Sequence, residues 1–155
     1  MIVLLVLFVS FALSCGLSEI NSGNLNLVLS GNIGMCVMLL FTAFGHFKFP
    51  GGMAKMIPTA IPFKKELIYI TGVLEILAGV TLLFPQFRYE AGIFLTVFFI
   101  AILPANIYAA MHHVDYQKAT HDGNGLKYLW FRIPMQLFLI SWVWFFAIYS
   151  SNMTI

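Results

Sequence analysis

The sequence predicts an all-α, polytopic membrane helix bundle that forms a single membrane domain over residues 1–155. Three observations carry that expectation. Hydrophobic residues make up 61% of the chain and charged residues only 9%, against about 25% charged in a typical soluble domain. The mean hydropathy of +0.92 implies more apolar surface than a water-soluble globule of this size can bury, so the bilayer is the solvent. The apolar residues also fall in five unbroken stretches, about 1–17, 26–48, 66–84, 91–111 and 130–149. Unbroken runs of this length indicate helices, whereas the strands of a membrane barrel alternate.

The first stretch, MIVLLVLFVSFALSCG, is short and ends in small residues, as a signal peptide does. Its "ALSC" is similar to a lipoprotein cleavage site at Cys15. It lacks the basic segment that opens a signal peptide, so it is read as an uncleaved first helix, with cleavage after Ser14 as the alternative. The second stretch ends in "LLFTAFGHF". Counting back from His46 at helical spacing, Ala43, Leu39, Cys36 and Asn32 share one side, an inward stripe of small and polar residues. Residues 49–65, FPGGMAKMIPTAIPFKK, are too apolar to float free and too broken by proline and glycine to span. They suit an interfacial or re-entrant segment held at the headgroups by Lys64 and Lys65, or else an ordinary tight loop.

The third stretch places Glu75 at its centre, in "ITGVLEILAGVTLL". A charged side chain there costs about 2.5–3.5 kcal/mol on insertion scales, so the acid must be protonated, paired or facing a polar cavity. Gly72 and Gly79 lie on the same face and let a neighbouring helix approach closely. In the fourth stretch, Pro104 frees the carbonyl of Ile100 and kinks the helix. Asn106 follows, and Ala110 and His113 continue its face. The fifth opens "FRIPMQLFLISW", bringing Arg132, a second kink at Pro134, and Gln136. Its tryptophans, Trp130, Trp142 and Trp144, suit lipid-facing and interfacial positions.

With five spans, Lys48, Lys55, Lys64, Lys65, Lys118, Lys127 and Arg132 collect on one side, and only Arg88 on the other. The positive-inside rule makes the basic side cytoplasmic: the 48–65 and 112–129 loops lie inside and the C-terminus outside. Counted at 1.5 Å per residue from that side, His46 lies about 3 Å deep, Asn106 about 8 Å, Gln136 about 9 Å and Glu75 about 14 Å. Four helices thus bring a polar side chain to the cytoplasmic half. This predicts one buried pocket lined by Glu75, His46, Asn106, Gln136, Arg132 and His113. The competing reading is a hydrogen-bond network that only fixes packing, at about 0.6–2 kcal/mol per bond.

Other chemistry finds little support. The net charge is +2, and the eight Lys and Arg form no tract with interleaved aromatics, so nucleic acid is not a partner. Cys15 and Cys36 have neither CxxC spacing nor histidine partners. The loop HHVDYQKATHDGNGLKY matches no standard metal-ligand spacing, its "DGNG" reads as a turn, and no metal is expected. A bis-histidine haem between His46 and His112 or His113 is disfavoured, because those residues could only just be opposed near the surface.

The stretches "TAFGHF", "MIPTAIPFKKE", "YITGVLEILAGVTLLFP", "LPANIYAAM" and "WFRIPMQ", in this order and spacing, resemble the DoxX-like family of small bacterial integral membrane proteins. The resemblance runs from about Met38 to Trp144. It implies a four-helix DoxX-like core, to which this chain adds an N-terminal transmembrane helix at 1–17, and a place in the bacterial cytoplasmic membrane. The family takes its name from subunits of a thiosulfate:quinone oxidoreductase, and other members are linked to redox or assembly functions. The expectation is therefore a redox-associated membrane subunit, not an enzyme by itself. A quinone-like ligand would be held through His46, Asn106 and Gln136, Glu75 would exchange protons, and a redox partner protein would supply electrons. A non-catalytic scaffold or assembly factor is the alternative, and a proton-coupled transporter a further one. Nothing in the sequence sets the oligomeric state.

Overall fold

Apolar runs with few charges and no internal breaks become long helices, and proline–glycine clusters become the connections between them. The computed structural model describes residues 2–150, and of Ser22 the backbone alone. Its helices are α1 (Ile2–Ser22), α2 (Leu27–Lys48), α3 (Pro50–Ala54), α4 (Lys64–Thr81), α5 (Arg88–Met111) and α6 (Leu129–Val143). The last continues directly as a π-helix over Trp144–Tyr149, and short 3-10 turns precede α5 and α6. Among the described residues the only strand-like pairing is an isolated bridge between Asp115 and Thr120. The end of the chain, expected outside the cell, lies outside the described residues.

Four helices are long and apolar enough to cross a membrane: Ile2–Asn21, Leu27–Lys48, Pro85–Met111 and Gly125–Tyr149. The third expected span, 66–84, is a helix but not one of these four. It starts at Lys64, stops at Thr81 and carries Lys64, Lys65, Glu66 and Glu75 within 18 residues. Those charges, not its length of about 27 Å, separate it from the others.

Even so, α4 runs antiparallel along the depth of α2. A Cβ on Gly72 would lie 2.8 Å from His46 Cβ, and one on Gly79 would lie 3.3 Å from Leu39 Cβ and 3.5 Å from the Cys36 backbone. The two glycines bring the helix axes together, as close helix packing in a bilayer requires. The predicted inward stripe of α2 is buried, with Asn32, Cys36, Leu39 and Ala43 all inaccessible.

Helix α1 lies on α2 and α6. Leu7 is fully buried, and Phe8 and Phe11 pack against Trp142, the latter edge-on at 5.2 Å. Trp142 therefore differs from the lipid-facing position expected of it. Its indole nitrogen donates to Gly31 O at 3.0 Å, whereas Trp130 is 87% exposed. Asn32 donates to Phe146 O at 2.9 Å, giving a partner to a carbonyl inside the π-helix.

The basic loops close one end of the bundle. Helix α3 packs through Gly52 against the backbone of Tyr116, Phe49 meets the Tyr116 ring edge-on, and Lys55 Nζ donates to Ala119 O at 2.6 Å. The first part of the 49–65 segment, as far as Lys55, is thus packed on the second loop.

Candidate functional site

Glu75 and His46 meet across the α2–α4 seam. On α2, Thr42 and His46 stand one helical turn apart, as do Thr71 and Glu75 on α4, so the antiparallel helices set the four side chains in two facing pairs. Thr42 Oγ1 donates to Glu75 Oε2 at 2.8 Å. His46 Nε2 lies 3.4 Å from Glu75 Oε1, with the two side chains 15% and 6% exposed. His46 Nδ1 is 3.0 Å from both Ile68 O and Thr71 Oγ1, and Thr71 Oγ1 donates to Ile68 O at 2.9 Å.

These contacts assign the proton positions. The Ile68 carbonyl only accepts, so a hydrogen on Nδ1 satisfies that contact and leaves Nε2 to face the carboxyl group. The Nε2–Oε1 contact then holds one proton, carried either by the acid or by the imidazole. In both forms the pair has no net charge, which avoids the cost of an isolated ion in hydrocarbon.

The remaining candidates do not join this cluster. Asn106 is 6% exposed on α5, and its Oδ1 accepts from Arg132 Nη2 at 3.0 Å. Arg132 also donates to the Tyr128 hydroxyl at 3.3 Å. A cavity of about 40 Å³ lies beside them, with Asn106, Ala109, Ala110, Gly125, Tyr128 and Arg132 in its wall. Gln136 is buried and donates to Phe99 O. The carbonyl it satisfies is one residue before that of Ile100, which Pro104 leaves without its helical donor. Helices α5 and α6 continue through Pro104 and Pro134. His113 caps the end of α5 in the left-handed region (φ 53°), exposed, with its ring beside Gly125.

The single pocket expected from depth is therefore two separate clusters. Neither His46 nor Glu75 lines the Asn106–Arg132 cavity, and no hydrogen bond among the described residues links the two clusters. Depth along a helix is readable from sequence, but the direction a residue faces toward its neighbours is not. Sequence reasoning also missed Thr42 and Thr71, although each lies four residues before a residue it selected. Tyr128 carried no signal beyond its place four residues before Arg132.

A second hollow, of about 300 Å³, is a shallow groove open to the outside between α4 and α5, lined by Leu74, Leu77, Ala78, Thr81, Glu90, Ala91 and Phe94. It is apolar apart from Thr81 and Glu90. Its volume reaches the lower bound of small-molecule sites, about 300–1,000 Å³. The Asn106–Arg132 cavity, in contrast, is well below the roughly 150 Å³ that admits a benzene ring. His112, stacked on Tyr108 at 3.9 Å, and His121, bonded to the His112 carbonyl at 3.0 Å, belong to the loop and to neither cavity.

Residues 35–147 match a family described as a domain of unknown function (DUF8561). The match takes in every residue of both clusters and leaves out α1. No curated protein and no solved structure matches the chain.

Proposed function

The chain belongs to the DUF8561 family, and within it we propose a redox-associated membrane subunit, of the kind the DoxX-like resemblance implies, that exchanges protons for a quinone-like ligand. The observation that carries this reading is the His46–Glu75 pair: a buried acid and a half-buried imidazole, 3.4 Å apart between two packed helices. Ionisable side chains at such positions are rare and are a mark of proton pathways. Reduction of a quinone takes two electrons and two protons. The electrons come from a redox partner protein, since the chain offers no cofactor motif of its own. The pair hands on one proton at a time, reloading from the basic end of the bundle, which is cytoplasmic in this reading. Of the two cavities only the open groove between α4 and α5 has the volume for a ring, and its wall includes neither His46 nor Glu75, which face the α2–α4 seam.

The test is mass spectrometry of small molecules that co-purify with the protein in mild detergent. Wild type is compared with Leu77→Trp, which fills the groove from its rim. A quinone at near-stoichiometric amounts in wild type and absent from Leu77→Trp supports the reading. Bulk lipid alone in both samples overturns it.

One observation favours a second reading, a scaffold or assembly protein. Both carboxylate oxygens of Glu75 and both ring nitrogens of His46 have partners inside the protein, as a lock for the bundle would require. The two readings part on Glu75→Gln. An amide keeps hydrogen bonds to Thr42 and His46 but cannot exchange the proton, so a scaffold loses nothing.

A further inference from the structure

We propose that the cavity between Asn106 on α5 and Arg132 on α6 binds a single anionic oxygen group, a carboxylate or a phosphate, at the basic end of the bundle. The site is separate from the His46–Glu75 pair and does not depend on its role. Two buried donors at this place have no acceptor: Asn106 Nδ2 and Arg132 Nε. The orientation of the Asn106 amide is fixed, because Arg132 Nη2 can only donate and so must meet Oδ1. The amide nitrogen is thereby left over, on a side chain more than nine-tenths buried. Tyr128, also in the cavity wall, accepts from Arg132 Nη1 through its hydroxyl, which leaves its own hydrogen available to donate.

The charges agree with the donors. Among the described residues no carboxylate lies within ion-pair distance of Arg132; the pair formed by Glu75 is with His46. No acidic side chain lines the cavity. A guanidinium in such surroundings is uncompensated, and it sits in the first turn of α6, where the helix dipole also favours an anion. Size narrows the class further. A volume of about 40 Å³ equals about three water positions at 10–15 Å³ each. It accepts a carboxylate or the oxygens of one phosphate but no ring. The shared chemistry is an anionic oxygen acceptor, supplied either by a small soluble anion or by the phosphodiester of a lipid in the cytoplasmic leaflet.

The experiment follows thermal unfolding of the full chain. In one arm, delipidated protein in detergent receives sodium phosphate or acetate, with sodium chloride at matched ionic strength as control. In the other arm, the protein is placed in nanodiscs with or without phosphatidylglycerol. Wild type is compared with Asn106→Asp, which supplies an internal counter-ion for Arg132 and repels an added one, and with Arg132→Gln, which removes the charge. The expected result is a saturable rise in the wild-type midpoint, with apparent affinity at least about tenfold weaker in either variant. Asn106→Asp should start from a higher midpoint without added anion. A rise with phosphate or acetate identifies a soluble anion, and a rise with phosphatidylglycerol alone identifies a lipid headgroup. No rise beyond the chloride control in either arm overturns the proposal and leaves the cavity to water. An equal rise in wild type and the variants overturns it as well.

Discussion

Nε2 of His46 and Oε1 of Glu75 lie 3.4 Å apart across the seam between α2 and α4, and Gly72 is what lets them meet. A Cβ at position 72 would stand 2.8 Å from His46 Cβ, too close for two carbons, whereas one at position 79 meets nothing nearer than 3.3 Å. Gly72→Ala should therefore destabilise the protein by about 1–3 kcal/mol, and Gly79→Ala by clearly less. Thermal unfolding in detergent checks the order. Equal effects would mean that the seam yields as easily at His46 as at Leu39.

The pair should distinguish an isostere from a deletion. Glu75→Gln keeps partners for Thr42 and His46 and should change stability by less than about 1 kcal/mol. Glu75→Leu leaves the imidazole facing an apolar side chain and should cost about 1–3 kcal/mol. Unfolding midpoints of the two variants, read side by side, test this. Equal losses would show that the acid is needed as a charge and not as a hydrogen-bonding group.

Gln136 should prove structural. Its one bond, to Phe99 O, ties α6 to α5 beside Pro104. Gln136→Leu should cost about 0.6–1.7 kcal/mol, the range for interhelical hydrogen bonds in membranes. Ligand content measured on the same sample should stay at the wild-type level. Loss of ligand without loss of stability would move Gln136 into the binding site.

The orientation proposed from the basic loops is open to direct labelling. With Cys15→Ser and Cys36→Ala as background, Lys127→Cys should react with a membrane-impermeant maleimide only after the cytoplasmic membrane is opened. Reaction in intact spheroplasts would invert the topology and place the Asn106–Arg132 cavity on the outside.

Much of the architecture is legible in the sequence. The apolar runs mark α1, α2, α5 and α6, because a backbone in lipid has few other options. Helix α4 is legible as a helix, but its four charges set it apart from the other spans. The burial of Glu75 and the close approach at Gly72 and Gly79 follow from i, i+3 and i, i+4 spacing on one face. The π-helix at Trp144–Tyr149 has no such signal, and the donor that meets its Phe146 carbonyl, Asn32, comes from another helix. The division of the polar residues into two clusters is equally hidden. His46, Asn106 and Gln136 all fall in the half nearer the basic loops by depth, yet α2 turns its polar face to α4, and α5 turns its own to α6.

Proton exchange within the His46–Glu75 pair is best read from nitrogen NMR of the His46 ring. Full-length protein labelled with ¹⁵N-histidine in nanodiscs would be followed across the pH range in which it stays folded, with His46→Gln assigning the signals among the four histidines. A pair that exchanges its proton makes the Nε2 resonance of His46 respond to pH, and Glu75→Gln alters that response while Nδ1 keeps its bond to Ile68 O. Ring nitrogens that never respond to pH, or that respond identically in Glu75→Gln, would contradict proton exchange and leave the pair as a lock between two helices.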